Sequence, residues 1–103
     1  KKIHESNHYL HRLIYLLSFK YLSEGLGIKQ NENLIKEIIY FMEYDQVANV
    51  RFKACQIITF LAKNNLINKQ FIPNLISKLQ IIIKQDDDVD VRYFATQSID
   101  ALS

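Results

Sequence analysis

One ten-residue stretch is written twice in this chain. Asp45-Gln46-Val47-Ala48-Asn49-Val50-Arg51-Phe52-Lys53-Ala54 is matched by Asp86-Asp87-Asp88-Val89-Asp90-Val91-Arg92-Tyr93-Phe94-Ala95. Both read Asp, five residues, Arg, two residues, Ala. Aligned on the arginines, each has Val just before and an aromatic just after, an Ile seven further on (Ile58, Ile99) and a Leu ten further on (Leu61, Leu102). A fainter copy runs from Ser6 to Arg12, with Leu13, Phe19 and Leu22 in the matching places. The only three arginines, Arg12, Arg51 and Arg92, occupy the same place in the unit, 39 and 41 residues apart. That period is close to the 40 to 47 residues, roughly, of paired-helix repeats of the HEAT class, in which each unit buries its apolar face against its neighbours.

The rest of the composition agrees with helices. Two glycines and one proline in 103 residues leave little material for hairpin turns. A 49% hydrophobic content supplies a core, and 23% charged residues make an ordinary surface. The net charge of +2 comes from dispersed lysines, which gives no footprint for nucleic acid. Purely apolar runs such as Leu13 to Leu17 and Ile81 to Ile83 are far short of a membrane span. A single cysteine, Cys55, has no internal disulfide partner, which fits a reduced intracellular setting.

The spacing predicts an all-α fold of five helices, a HEAT-repeat α-solenoid fragment of about two and a half helical hairpins. Residues 1–28 are expected to be the second helix of a truncated repeat, and residues 29–64 and 65–103 two full repeats. The first helix, over 7–24, has apolar residues at Leu10, Leu13, Ile14, Leu17, Tyr21 and Leu22, with Tyr15, Leu16 and Phe19 filling most of the rest. It therefore needs cover on more than one side, and one flank is expected to stay exposed. Gly25 and Gly27 are expected to end it. Leu34, Ile35, Ile38, Ile39 and Met42 mark the stripe of the second helix. Asp45 is expected to cap a third helix over 47–63 that Asn64-Asn65 breaks. Phe71, Ile72, Leu75, Ile76, Leu79 and Ile83 form the next stripe, with Pro73 in the first turn, and a last helix spans 89–102.

The Asp-to-Arg spacing has its own consequence. It sets an acid at the turn and a base inside the following helix, so stacking should bring the Arg of one unit to the Asp of the next. Such a ladder is expected to be partly exposed, to contribute about 0 to 1 kcal/mol per rung, and to fix register more than strength.

Signals for chemistry are weak. His4-Glu5-Ser6-Asn7-His8 matches a zinc-peptidase pattern, but at the extreme N-terminus and with no strand before it, so it reads as solvated histidines. Asp86, Asp88 and Asp90 imitate a calcium loop, yet Val91 and Gln97 stand where that loop needs Gly and Glu. Cys55 reads as a small core residue. No convergent acid, base and nucleophile and no phosphate loop is present, so the chain is expected to bind rather than catalyse, with no cofactor and no metal. The acidic run over 86–90 is richer than a helix cap needs, which suggests a basic or hydrogen-bonding partner surface.

Four stretches carry a resemblance: Tyr9-Leu10-His11-Arg12, Leu22-Ser23-Glu24, Asp45 followed after one residue by Val47-Ala48-Asn49-Val50-Arg51-Phe52, and Asp88-Val89-Asp90-Val91-Arg92-Tyr93-Phe94-Ala95 with Leu102-Ser103. Together they resemble the C-terminal HEAT repeats of the scaffolding A subunit of protein phosphatase 2A, in the same order and spacing over essentially the whole chain. Gln46 stands where that family usually has proline, and Ser6 where it often has aspartate. The resemblance implies a horseshoe of such repeats with no activity of its own, located in the cytoplasm and also the nucleus. It implies that the phosphatase catalytic subunit is held by the turns inside the last repeats, and a regulatory subunit by upstream repeats absent from this sequence. By the same resemblance the contacts would come from Tyr9, Asp45, Val47, Asn49, Asp88, Val89 and Asp90, with Arg51, Arg92 and Tyr93 just behind. A chain that opens within a repeat is expected to be cut from a longer protein. The rival readings are a HEAT array for another client, such as transport cargo, and a zinc peptidase.

Overall fold

The computed structural model describes residues 9–26 and 32–103; for Tyr9, residues 22–26 and Glu32 only the helical backbone is described. The zinc-like motif at His4 to His8, Ser6, and the expected glycine cap at Gly27 lie outside the described residues, as do the side chains of Tyr9 and Leu22; Gly25, the other glycine expected to end the first helix, lies inside helical backbone that runs on to Leu26. Among the described residues there are five α-helices: α1 (Tyr9–Leu26), α2 (Glu32–Tyr44), α3 (Ala48–Lys63), α4 (Ile72–Gln85) and α5 (Val89–Leu102). A 3₁₀ turn, Lys69–Phe71, leads into α4, and Pro73 sits in the first turn of that helix, where its missing N–H costs nothing.

Three-residue connections, Asp45 to Val47 and Asp86 to Asp88, fold α2 back on α3 and α4 back on α5. Helix α3 packs against both α1 and α5, so these three form one layer, while α2 and α4 pack on each other and form the second. The molecule measures 31 × 30 × 18 Å. Its thinnest dimension equals two helix layers at an interaxial spacing of about 8 to 10 Å.

The valine and alanine positions that match between the two sequence copies are buried alike. Val50 and Val91, and Ala54 and Ala95, have no exposed surface, and Ile58, Leu61 and Leu102 join them in the core. Small alanines there let the backbones of α3 and α5 approach, and Phe52 stacks on Phe94 with ring centroids 5.2 Å apart. Ser98 completes the α5 stripe: its hydroxyl donates to the Cys55 carbonyl at 2.7 Å and lies 2.9 Å from the Thr59 hydroxyl. That satisfies a polar group that would otherwise be buried at a cost of about 1 to 3 kcal/mol.

The end of α3 is set by Asn65, whose φ of 56° is the left-handed conformation asparagine tolerates. Leu66 N donates to Leu61 O at 2.8 Å and Asn65 N to Ala62 O at 3.2 Å. These two bonds form a Schellman cap that takes up carbonyls the helix leaves open.

Two faces differ from the sequence expectation. In α1 the buried stripe is Arg12, Leu16 and Phe19, while Leu10, Ile14 and Tyr21 are exposed. A helix apolar nearly all round has no polar face to orient it, so Arg12 and its partner decide which side turns inward. The exposed flank expected for this helix is thus the one that spacing alone assigned to the core. In α4, Ile82 is buried and Ile83 only partly so.

Burial, with a smaller contribution from Asp86, pushes the Cys55 thiol from its ordinary 9.0 to about 12. Since the thiolate is the nucleophile, Cys55 should react with iodoacetamide at pH 8 only once the chain is unfolded. The folded thiol also holds its proton more tightly than the unfolded one. Its contribution to stability is therefore complete below pH 9.0 and is lost as the pH rises toward about 12. Urea midpoints should fall more steeply above pH 9.0 in the wild type than in Cys55→Ala; parallel profiles would remove this role.

Candidate protein-binding surface

The turns Asp45 to Val47 and Asp86 to Asp88 are built to one plan. In each, the leading aspartate accepts from the backbone N–H two residues on, Val47 N to Asp45 Oδ1 at 2.9 Å and Asp88 N to Asp86 Oδ1 at 3.0 Å. In each, the arginine six residues on donates Nη1 to that aspartate's carbonyl oxygen, Arg51 to Asp45 at 2.8 Å and Arg92 to Asp86 at 2.6 Å. And in each, the arginine of the neighbouring helix in the α1–α3–α5 layer, Arg12 of α1 or Arg51 of α3, forks onto the carboxylate. Arg12 Nε and Nη2 donate to Asp45 at 2.5 and 3.0 Å, and Arg51 Nε and Nη2 donate to Asp86 at 2.9 and 3.2 Å. The guanidinium plane suits this paired geometry.

This ladder is more buried than the sequence suggested. The side chains of Arg12 and Asp45 are each 2% exposed, so that rung sits in low dielectric and its parts are costly to separate. Arg51 and Asp86 are 13% and 8% exposed. A rung expected to contribute little is in the first case a buried ion pair, because α1 closes over it.

The cap also differs. Val47, not Asp45, holds the N-cap position of α3, with no side-chain bond; the Asp45 carboxylate is committed to Arg12 and Val47. In the second turn Asp88 caps α5, accepting from Asp90 N at 2.9 Å and Val91 N at 3.0 Å. Asp86 thus serves Arg51 and Asp88 serves the helix, which accounts for two of the acids in structural terms. Asp90 remains for solvent or a partner, and Asp87 meets only Arg51 Nη2, at 3.3 Å from an otherwise exposed side chain.

The residues implied as contacts divide accordingly. Asn49, Val89, Asp90 and Tyr93 are exposed, Val47, Arg51, Asp88 and Arg92 are half-buried, and Asp45 is buried. Tyr9 begins α1, and its side chain lies outside the described residues. The structure brings the two turns together across a cleft of about 950 Å³. That cleft also takes in Lys78 and Ile81 of α4, which sequence reasoning did not single out, because nothing in a helical stripe marks its outward positions as lining. Lys78 Nζ lies 3.3 Å from Glu43 Oε1 across the two hairpins.

Among the described residues no group of three or more His, Cys, Asp or Glu side chains is arranged to hold a metal ion. No helix among them is long and apolar enough to cross a membrane. Comparison with protein-family models, with curated proteins and with solved structures gave no match.

Proposed function

We propose that the chain is a stack of HEAT-type helical hairpins that works as a non-catalytic scaffold. In this reading it holds the catalytic subunit of a serine/threonine phosphatase of the 2A type along the edge formed by its turns. A regulatory subunit would dock on other repeats of the same kind, and the assembly would act in the cytoplasm and nucleus. What supports the scaffold is the shared plan of the two turns, each locked by the arginine of the neighbouring helix, α1 or α3. Such a lock presents successive turns in one line as a rigid edge, and rigid presentation lowers the ordering cost of binding. What supports the phosphatase as client is the resemblance carried by Val47-Ala48-Asn49 and Asp88-Val89-Asp90.

On this reading the contacts fall to exposed residues of the turns and of the first turn of each following helix: Asn49, Val89, Asp90 and Tyr93. Asp45 and the ladder arginines position the edge instead of touching the partner. Calorimetric titration of the chain with the catalytic subunit should give saturable one-to-one heat. Asp90→Lys, which leaves the ladder and the caps intact, should weaken binding by about tenfold, the equivalent of ~1.4 kcal/mol. Unchanged affinity in that variant would remove the site assignment, and no heat from the wild type would remove the function.

A further inference from the structure

We propose that the cleft between the two turns receives a partner segment carrying a lysine or arginine beside a bulky apolar side chain. The inference rests on the reading of this edge as a docking surface and names the chemistry that would fill it. The first hairpin contributes Tyr44 to the cleft, and the second contributes Ile81 and Asp87.

The charges lining the cleft do not balance. Four acids, Glu43, Asp86, Asp87 and Asp88, line it against two bases, Arg51 and Lys78. Arg51 pairs with Asp86 at 2.9 Å and Lys78 with Glu43 at 3.3 Å, so the deep charges cancel. Asp87 and Asp88 are left over, a local excess of two negative charges in a chain whose net charge is +2. Asp88 commits one oxygen to the α5 cap. Asp87 has its side chain 94% exposed and meets Arg51 Nη2 only at 3.3 Å, so a cation can approach it without breaking the ladder.

The cleft also has an apolar wall. Tyr44 and Ile81 are 65% and 43% exposed, large side chains on opposite hairpins of the same cleft. An acidic segment docking there would meet two uncompensated carboxylates, and a wholly apolar one would strip water from them without replacing it. A basic residue answers Asp87 and Asp88 and can lie over the Tyr44 ring. Its apolar neighbour covers Ile81. Both demands are met by one short extended segment, and pockets that bury an anchor next to a satisfied charge are where binding energy concentrates.

The test has two arms. In the first, wild type, Asp87→Lys and Ile81→Ser are titrated with the 2A-type catalytic subunit. Each substitution should weaken binding by about tenfold, with the helical circular dichroism of the folded chain unchanged. In the second, amide NMR spectra of the chain are followed with a blocked peptide holding one lysine beside one leucine, and with the same peptide carrying glutamate for lysine. Shifts at Tyr44, Ile81, Asp87 and Asp88 with the lysine peptide alone support the inference. No difference between the two peptides at millimolar concentration overturns it, whatever the first arm gives. If the catalytic subunit fails to bind but the lysine peptide shifts these four amides, the phosphatase client falls and the cleft chemistry stands. If the subunit binds both variants as it binds wild type and the peptides are indistinguishable, the cleft chemistry falls and the scaffold stands.

Discussion

Asp45→Ala should lower the unfolding free energy by about 3 to 5 kcal/mol, as expected when one member of a buried ion pair is removed. The carboxylate accepts two bonds from Arg12 and one from Val47 N. Its loss therefore leaves a guanidinium charge in a site where its own side chain is 2% exposed, and leaves a turn without its closing bond. For a domain of this length, whose whole stability is about 5 to 15 kcal/mol, such a loss is severe. Urea denaturation followed by helical circular dichroism measures it. The double variant Arg12→Met with Asp45→Leu should regain much of the deficit, since apolar side chains of similar bulk avoid the buried charge. A single variant that loses less than about 1 kcal/mol, the range of surface pairs, would mean that the rung is solvated.

Phe41→Ala should be comparably damaging, at about 3 to 5 kcal/mol for a phenylalanine emptied from a core. Phe41 has no exposed surface and lies between α1 and the hairpin that follows it, its ring 5.9 Å from that of Tyr15. The cavity would open under α1, the helix with an exposed apolar flank at Leu10, Ile14 and Tyr21. Hydrogen exchange should therefore show α1 losing protection before α5, which lies on the far side of α3 from it. Equal loss in all helices would show that the molecule unfolds as one unit even when this site is emptied.

Much of this architecture is legible from spacing. The limits of α3 to α5 follow from apolar stripes bounded by Asp, Asn and Pro, and the meeting of Arg12 with Asp45 and of Arg51 with Asp86 follows from the six-residue offset repeated along the chain. Three things were not legible, each for a physical reason. The inward face of α1 was hidden because leucines and aromatics surround the helix, so only tertiary partners choose among its sides. The division of labour among the acids was hidden because every Asp before a helix looks like a cap. Only the geometry gives the α5 N-terminus to Asp88 and leaves Val47 in the capping place of α3. The cleft was hidden because Lys78 and Ile81 stand on the outward side of α4, at positions where sequence periodicity predicts only solvent contact.

The repeated turn is what the account depends on, and the chain offers a direct view of it because it has only three arginines, Arg12, Arg51 and Arg92. Their side-chain Nε–H groups give three NMR signals whose exchange with water can be timed. Arg12 and Arg51 donate Nε to the carboxylates of Asp45 and Asp86, whereas Arg92 makes its bond to the turn through Nη1. Two signals strongly protected from exchange and one exchanging rapidly is the expected result. Three signals that all exchange at the rate of free arginine would contradict the ladder and the aligned edge built on it.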